Sequence, residues 1–203
     1  MKSQKSKTEL EYVNRVELCG SIVHTFRSEN RLVLTLAVSV KTGIREHPKV
    51  FWFDDMVEKI DKDFLVGDRV EITGRLRTSK AHPTTSIVGE TIVMTTGWFD
   101  AKFDSSKEYK PDHNEVLLKG LFVRAYIPNP DLAIITLKIS IDDYTYFPQI
   151  SCFGRHVAKA ADFAEGDIVY IVARIQTKKT DTENGTQYYQ TVVCSNMRVG
   201  TTA

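Results

Sequence analysis

The sequence predicts an all-β chain built as two tandem five-stranded barrels, each with one short helix between its third and fourth strands. Three observations predict it. The chain repeats itself about halfway along, apolar residues alternate with polar ones in both copies, and each copy carries one helix-spaced window at the same place.

The repeat comes first. Asn14–Gly20 (NRVELCG) recurs as Asn114–Gly120 (NEVLLKG), 100 residues on. Thr35–Val40 (TLAVSV) recurs as Thr136–Ile141 (TLKISI) at an offset of 101, and Phe53 falls on Phe153 at 100. Gly67–Thr78 (GDRVEITGRLRT) recurs as Gly166–Thr177 (GDIVYIVARIQT) at 99. Four blocks in one order, with offsets drifting by a residue or two, indicate a duplicated domain; a solenoid repeat is much shorter. Residues 101–112 are polar, lack apolar period and end in Pro111-Asp112, which marks a linker. The domains are then 12–100 and 113–200.

Each element follows from its pattern. Val16 and Leu18, then Leu32, Leu34, Leu36 and Val38, then Val70, Ile72, Gly74 and Leu76, alternate with polar residues. That is a sheet with one buried face. Copy two repeats it at Val116 and Leu118, at Ile135, Leu137, Ile139 and Ile141, and at Val169, Ile171, Ala173 and Ile175. Between the third and fourth strands, Asp54–Phe64 places Met56, Ile60 and Phe64 on one helical stripe, with Asp54 or Asp55 as the cap. Arg155–Phe163 does the same with Val157, Ala160 and Ala161. Gly67-Asp68 and Gly166-Asp167 then turn the chain into the next strand. This order matches a small OB-type barrel, whose closure removes open edges; a β-sandwich is the alternative.

Composition narrows the function classes. Apolar residues make up 42% and charged residues 26%, which excludes wholesale disorder. No apolar run reaches the roughly 18 residues of a spanning helix, and Met1–Thr8 is Lys- and Ser-rich rather than a secretory signal, so a cytoplasmic location is expected. Lys plus Arg is 27 against Asp plus Glu 26, so attraction for nucleic acid must come from local placement of charge. Cys19, Cys152 and Cys194 are odd in number and scattered, which suits a reducing compartment. The five histidines lie far apart. No phosphate loop, dinucleotide fingerprint or nucleophile elbow occurs. Asp54-Asp55, Asp142-Asp143 and Asp61/Asp63 read as cap, turn and helix face. Neither a metal, a cofactor nor an enzyme is expected.

The third strand carries the functional signal. Phe147, Gln149, Ser151 and Phe153 share one face, and Pro148, Ile150 and Cys152 the other. With Ile150 and Cys152 as core, Phe147 and Phe153 point outward, where a ring needs something to cover it. Copy one repeats this, with Val50 and Trp52 inward and Phe51 and Phe53 outward; Tyr144 and Tyr146 extend the platform. Cations follow on strand four and its hairpin: Arg75, Arg77 and Lys80 in copy one, Arg174, Lys178 and Lys179 in copy two. Tyr188 and Tyr189 follow the Asn184-Gly185 turn. Flat rings for bases and cations for phosphates are what sequence-independent single-strand binding requires. Burial of the rings under the linker, the other barrel or a subunit interface, and salt bridging of the cations, are the structural alternatives.

These residues carry a resemblance to the bacterial single-stranded-DNA-binding (SSB) family in its tandem OB-fold form. It rests on Asn114–Gly120, Ile134–Ser140 (IITLKIS), Phe153-Gly154, Glu165–Ile171, Arg174–Lys179, Asn184-Gly185 and Tyr188–Val193, which span nearly all of copy two; copy one matches more loosely. The family's tryptophan six residues before Phe153 is replaced by Phe147, and by His47 in copy one; its hairpin tryptophan is matched by Thr180. Copy one has a clipped hairpin at Thr78–Thr85. No glycine-rich linker or acidic tip precedes Ala203, so recruitment of enzymes through such a tip is not expected. A phage- or plasmid-borne protein fits these departures. The resemblance implies binding and protection of single-stranded DNA in replication, recombination or transfer, and a homodimer presenting four barrels. A primosome-type interaction adaptor and a single-stranded RNA binder are the other readings.

Overall fold

The repeated Asn–Gly block is the hinge of each half. The computed structural model describes residues 10–41, 43–78, 86–96, 102, 104, 106, 108–182 and 185–200, with side chains of 181–188 left aside. Its first half runs β1 (Val13–Ser28), β2 (Arg31–Lys41), β3 (Ile44–Glu46), β4 (Lys49–Phe53), α1 (Asp55–Glu58), β5 (Arg69–Arg77) and β6 (Ser86–Met94). The second runs β7 (His113–Asn129), β8 (Leu132–Ile141), β9 (Tyr144–Tyr146), β10 (Gln149–Phe153), α2 (Arg155–Ala161), β11 (Ile168–Thr182) and β12 (Gly185–Val199).

Within its own half β1 serves two neighbours. Val16–Ser21 pairs with β5, and Ser21–Ser28 pairs with β2. At the changeover sits Gly20, where a Cβ would lie 2.5 Å from the Ala37 carbonyl oxygen, so only glycine lets the strands approach. Gly120 meets the same crowding from Lys138 and Ile139. Asn14 closes the other end. Its side chain donates to the Leu76 carbonyl and accepts from the Leu76 N–H, both at 2.9 Å, adding a rung where the β1–β5 ladder stops. Asn114 makes the same pair with Ile175 at 2.8 Å. The repeated motif is therefore architectural at both ends.

The pairings β1–β2, β2–β4, β4–β6, β6–β5 and β5–β1 close a circuit of five strands, and β7, β8, β10, β12 and β11 close a second. Inside the first, Trp52 is 1% exposed and packs so tightly on Gly89 that a Cβ there would lie 2.1 Å from the indole. The matching positions of the second hold Cys152 and Cys194, one step beyond the paired Ser151 and Val193. One large and one vanishing side chain are exchanged for two of middle size, as close packing demands. The Cys152 thiol, hydrogen-bonded to Cys194 and buried, is held far above the ordinary thiol range.

The helices are shorter than the sequence windows. α1 stops at Glu58 rather than Phe64, and Asp54 makes no side-chain cap; it adopts φ 47°, where Gly154 in copy two has φ 56°. The position needs the left-handed region, which glycine enters freely and aspartate with strain. The Gly–Asp turns are as expected. Gly67 and Gly166 have φ of 98° and 89°, and Asp68 and Asp167 accept from the N–H of Leu65 and Ala164 at 2.9 and 2.8 Å. Among the described residues no helix is long and apolar enough to cross a membrane.

The halves join strand to strand. Val13–Cys19 of β1 pairs antiparallel with His113–Lys119 of β7, centred on Val16 opposite Val116. Those two residues are equivalent in the repeat, so the seam has pseudo-two-fold symmetry.

Candidate nucleic-acid interface

The pseudo-two-fold sets how the two outer faces are assembled. In the first half, β1, β2 and β4 place Phe26, Val33 and Phe51 in one row, and His24, Thr35 and Lys49 in the next. In the second, β7, β8 and β10 give the matching rows Tyr126, Ile134, Ser151 and Arg124, Thr136, Gln149. Phe53 lies opposite Arg31, and Phe153 opposite Leu132.

The alternation read from the sequence holds on the third strand. Ile150, Cys152 and Trp52 are buried, whereas Phe147 is 37% and Phe153 48% exposed. Phe51 and Phe53 are half-buried because they stack on each other, with ring centroids 6.1 Å apart and planes within 6°. The Arg31 guanidinium lies 5.3 and 5.8 Å from their centroids. Such a cation–π arrangement keeps a positive charge beside the rings. Tyr144 is exposed.

Tyr146 is a correction. It is 9% exposed, and its hydroxyl accepts from Arg75 of the other half at 3.4 Å. Tyr144, two residues back on the same short strand, is 66% exposed, so strand parity alone does not bury Tyr146. It is a contact between the halves rather than an open platform. Arg75 is committed to the same contact and to Glu90 at 2.7 Å. Burial works against its charge, but Glu90 and the Tyr146 hydroxyl more than offset this, and its pKa ends raised.

Of the remaining cations, Arg77, Lys178 and Lys179 are exposed and Arg174 half-buried. Lys80 lies outside the described residues. Lys178 stands opposite Tyr189, which is 45% exposed, and Lys179 opposite Tyr188, whose side chain is not described. Each half also touches the other's hairpin strands. Thr177 Oγ1 accepts from the His47 N–H at 2.8 Å, and Thr78 Oγ1 accepts from the Phe147 N–H at 3.0 Å. These are equivalent contacts under the pseudo-two-fold. A third, from the Lys49 N–H to Gln190 Oε1 at 3.0 Å, holds the β11–β12 hairpin beside β4. The hairpin carrying Lys178, Lys179 and Tyr189 therefore flanks the ring-bearing face of the first half, while Arg77 ends its strand next to Phe147.

Sequence reasoning missed Phe26, Arg31, Arg124 and Tyr126. Phe26 is 50% and Tyr126 63% exposed, and they are equivalent at the repeat's offset of 100. Extending the repeat past Gly20 and Gly120 would have found that pair. Arg31 had no such signal, since its counterpart is Leu132.

No protein-family model and no curated protein matches the chain. Among solved structures, the chain is similar to the wild-type single-stranded DNA binding protein of Thermus aquaticus. The TM-score is 0.66 and the identity 16%, over 96% of each chain. A deletion mutant of that Thermus protein gives a TM-score of 0.64 at 15% identity, over 95% of this chain and 96% of that one. The match runs through both halves and the seam between them, and so the chain has the fold of the Thermus single-stranded DNA binding protein.

Proposed function

We propose that the chain is an SSB-family protein whose two OB-type barrels, residues 12–100 and 113–200, bind single-stranded DNA through the faces described above. The observation that carries this is the set of exposed rings on the second half, Tyr126, Tyr144, Phe147 and Phe153. An apolar ring in water has no structural reason to be there, and each base stacked on one contributes about 1–3 kcal/mol. Arg31, Arg77, Arg174, Lys178 and Lys179 supply positive charge along both faces, and Tyr189 adds a ring on the hairpin. Binding of this kind is non-enzymatic and suits protection of exposed strands during replication, recombination or transfer in the cytoplasm. A homodimer would present four barrels.

Titration with dT oligomers of increasing length, followed by fluorescence, tests the proposal. Binding should tighten with length and weaken with salt, by a slope of about −0.7 per phosphate neutralised. Phe153→Ala should weaken binding about tenfold, one stacking contact, while far-ultraviolet circular dichroism stays unchanged. Failure to retain any single strand at low salt would leave the rings to a protein partner and end this reading.

A further inference from the structure

The two faces are not equal, and the difference is chemical. On the second half the outer surface of β7, β8 and β10 encloses a concavity of about 390 Å³, lined by Arg124, Ala125, Tyr126, Ile134, Thr136 and Gln149. In the row beside it Ser151 stands where the first half has Phe51. In the first half that ring stacks on Phe53 with the Arg31 guanidinium over it. Tyr126 supplies a ring wall and Ile134 an apolar surface. Thr136, 8% exposed, also lines it, with Arg124 and Gln149 as its cross-strand neighbours. The corresponding row of the first half is His24, Thr35 and Lys49, which has no carboxamide and no guanidinium.

We propose that this concavity seats one unpaired purine and gives the protein a purine preference at a single position on an otherwise indifferent track. The inference rests on the single-strand reading above. A purine offers the N7 acceptor with an adjacent group, N6–H in adenine and O6 in guanine. A carboxamide pairs with the first arrangement through both its donor and its acceptor, and a guanidinium with the second through two donors. Gln149 and Arg124 supply both, and the Thr136 hydroxyl adds a donor or acceptor between them. Pyrimidines lack the N7 edge. The first half, filled with rings and cations, takes any base.

The test compares a dT oligomer with the same oligomer carrying one central dA, one dG or one 7-deaza-dA, titrated against the full chain. The 7-deaza base stacks like adenine but has no N7. A single purine should tighten binding roughly fivefold or more, the low end for a two-point base contact, and the 7-deaza base should return it to the dT value. Gln149→Ala should bring the dA/dT affinity ratio to about one, and Arg124→Ala the dG/dT ratio. Phe26→Ala, on the other face, should leave both ratios alone. Equal affinities for all four oligomers, or a preference that survives 7-deaza substitution, would overturn the purine seat while leaving single-strand binding intact. If dT itself is not bound, the single-strand reading fails, and the seat with it.

Discussion

Two asparagines each replace the last rung of a ladder. Asn14 is 8% exposed and satisfies both backbone groups of Leu76; Asn114 does the same for Ile175 from a more open site. Asn14→Ala should cost about 1–3 kcal/mol, the penalty for leaving buried backbone groups unpaired, and Asn114→Ala less. Urea denaturation midpoints check this, and a larger loss from Asn114→Ala would contradict it. At this scale the sequence was informative about orientation. Strand parity alone separated Phe147 and Phe153 from Ile150 and Cys152. It misplaced Tyr146 because parity cannot show that the other half meets the end of β9; Tyr144, of the same parity, stays exposed. Arg31 was invisible, since a guanidinium reveals its place only once β2 and β4 are paired.

At the level of elements, the strands and their order were legible, because burial of one sheet face imposes a period of two that no loop imitates. The helix ends were not. Met56, Ile60 and Phe64 have helical spacing, yet the chain leaves the helix after Glu58, and Ile60 and Phe64 pack against the core from irregular backbone. The end of the stretch read as a linker is tied to the first half. Asp112 accepts from the Ser39 N–H at 2.7 Å and pairs with Arg69 at 2.6 Å, while Arg69 also donates to the Lys110 carbonyl. Burial pushes the Asp112 carboxyl up, but the Ser39 and Arg69 contacts outweigh it and leave the pKa below its ordinary 3.8. A carboxyl whose folded pKa is depressed stabilises above its unfolded pKa and loses that contribution as pH falls through the folded one. Asp112→Asn should therefore lower the melting temperature at pH 7, and the gap to the parent should close only below about pH 3.8. A gap that stayed constant down to pH 2.5 would remove the carboxylate from the account.

Across the whole molecule the pseudo-two-fold is the governing feature, and Thr78 and Thr177 show how the repeat builds it. Each hydroxyl accepts the backbone N–H of the residue that follows β3 or β9 of the other half, His47 or Phe147. The symmetry then breaks at the preceding residue. Glu46 is 4% exposed and accepts from both the N–H and the hydroxyl of Thr177, whereas Tyr146 meets Arg75. A buried carboxylate depends on its donors. Thr177→Val should thus destabilise the chain by about 1–3 kcal/mol, and Thr78→Val by less than about 1, because its partner N–H lies near water. Differential scanning calorimetry of the two variants decides it, and equal losses would mean that Glu46 is satisfied elsewhere.

The sequence by itself determined the duplication, the strand order, the inward and outward sides of each third strand, and the absence of net charge to draw in a polyanion. All of these follow from local periodicity and composition, which act over a few residues and survive in a single string of letters. Only the tertiary structure decided that β1 and β7 pair through Val16 and Val116, that Tyr146 and Arg75 belong to the contact between halves, and that Arg124, Tyr126 and Gln149 line one hollow. Each of these depends on which strands lie side by side and what fills the space above them, a property of packing between segments far apart in the chain.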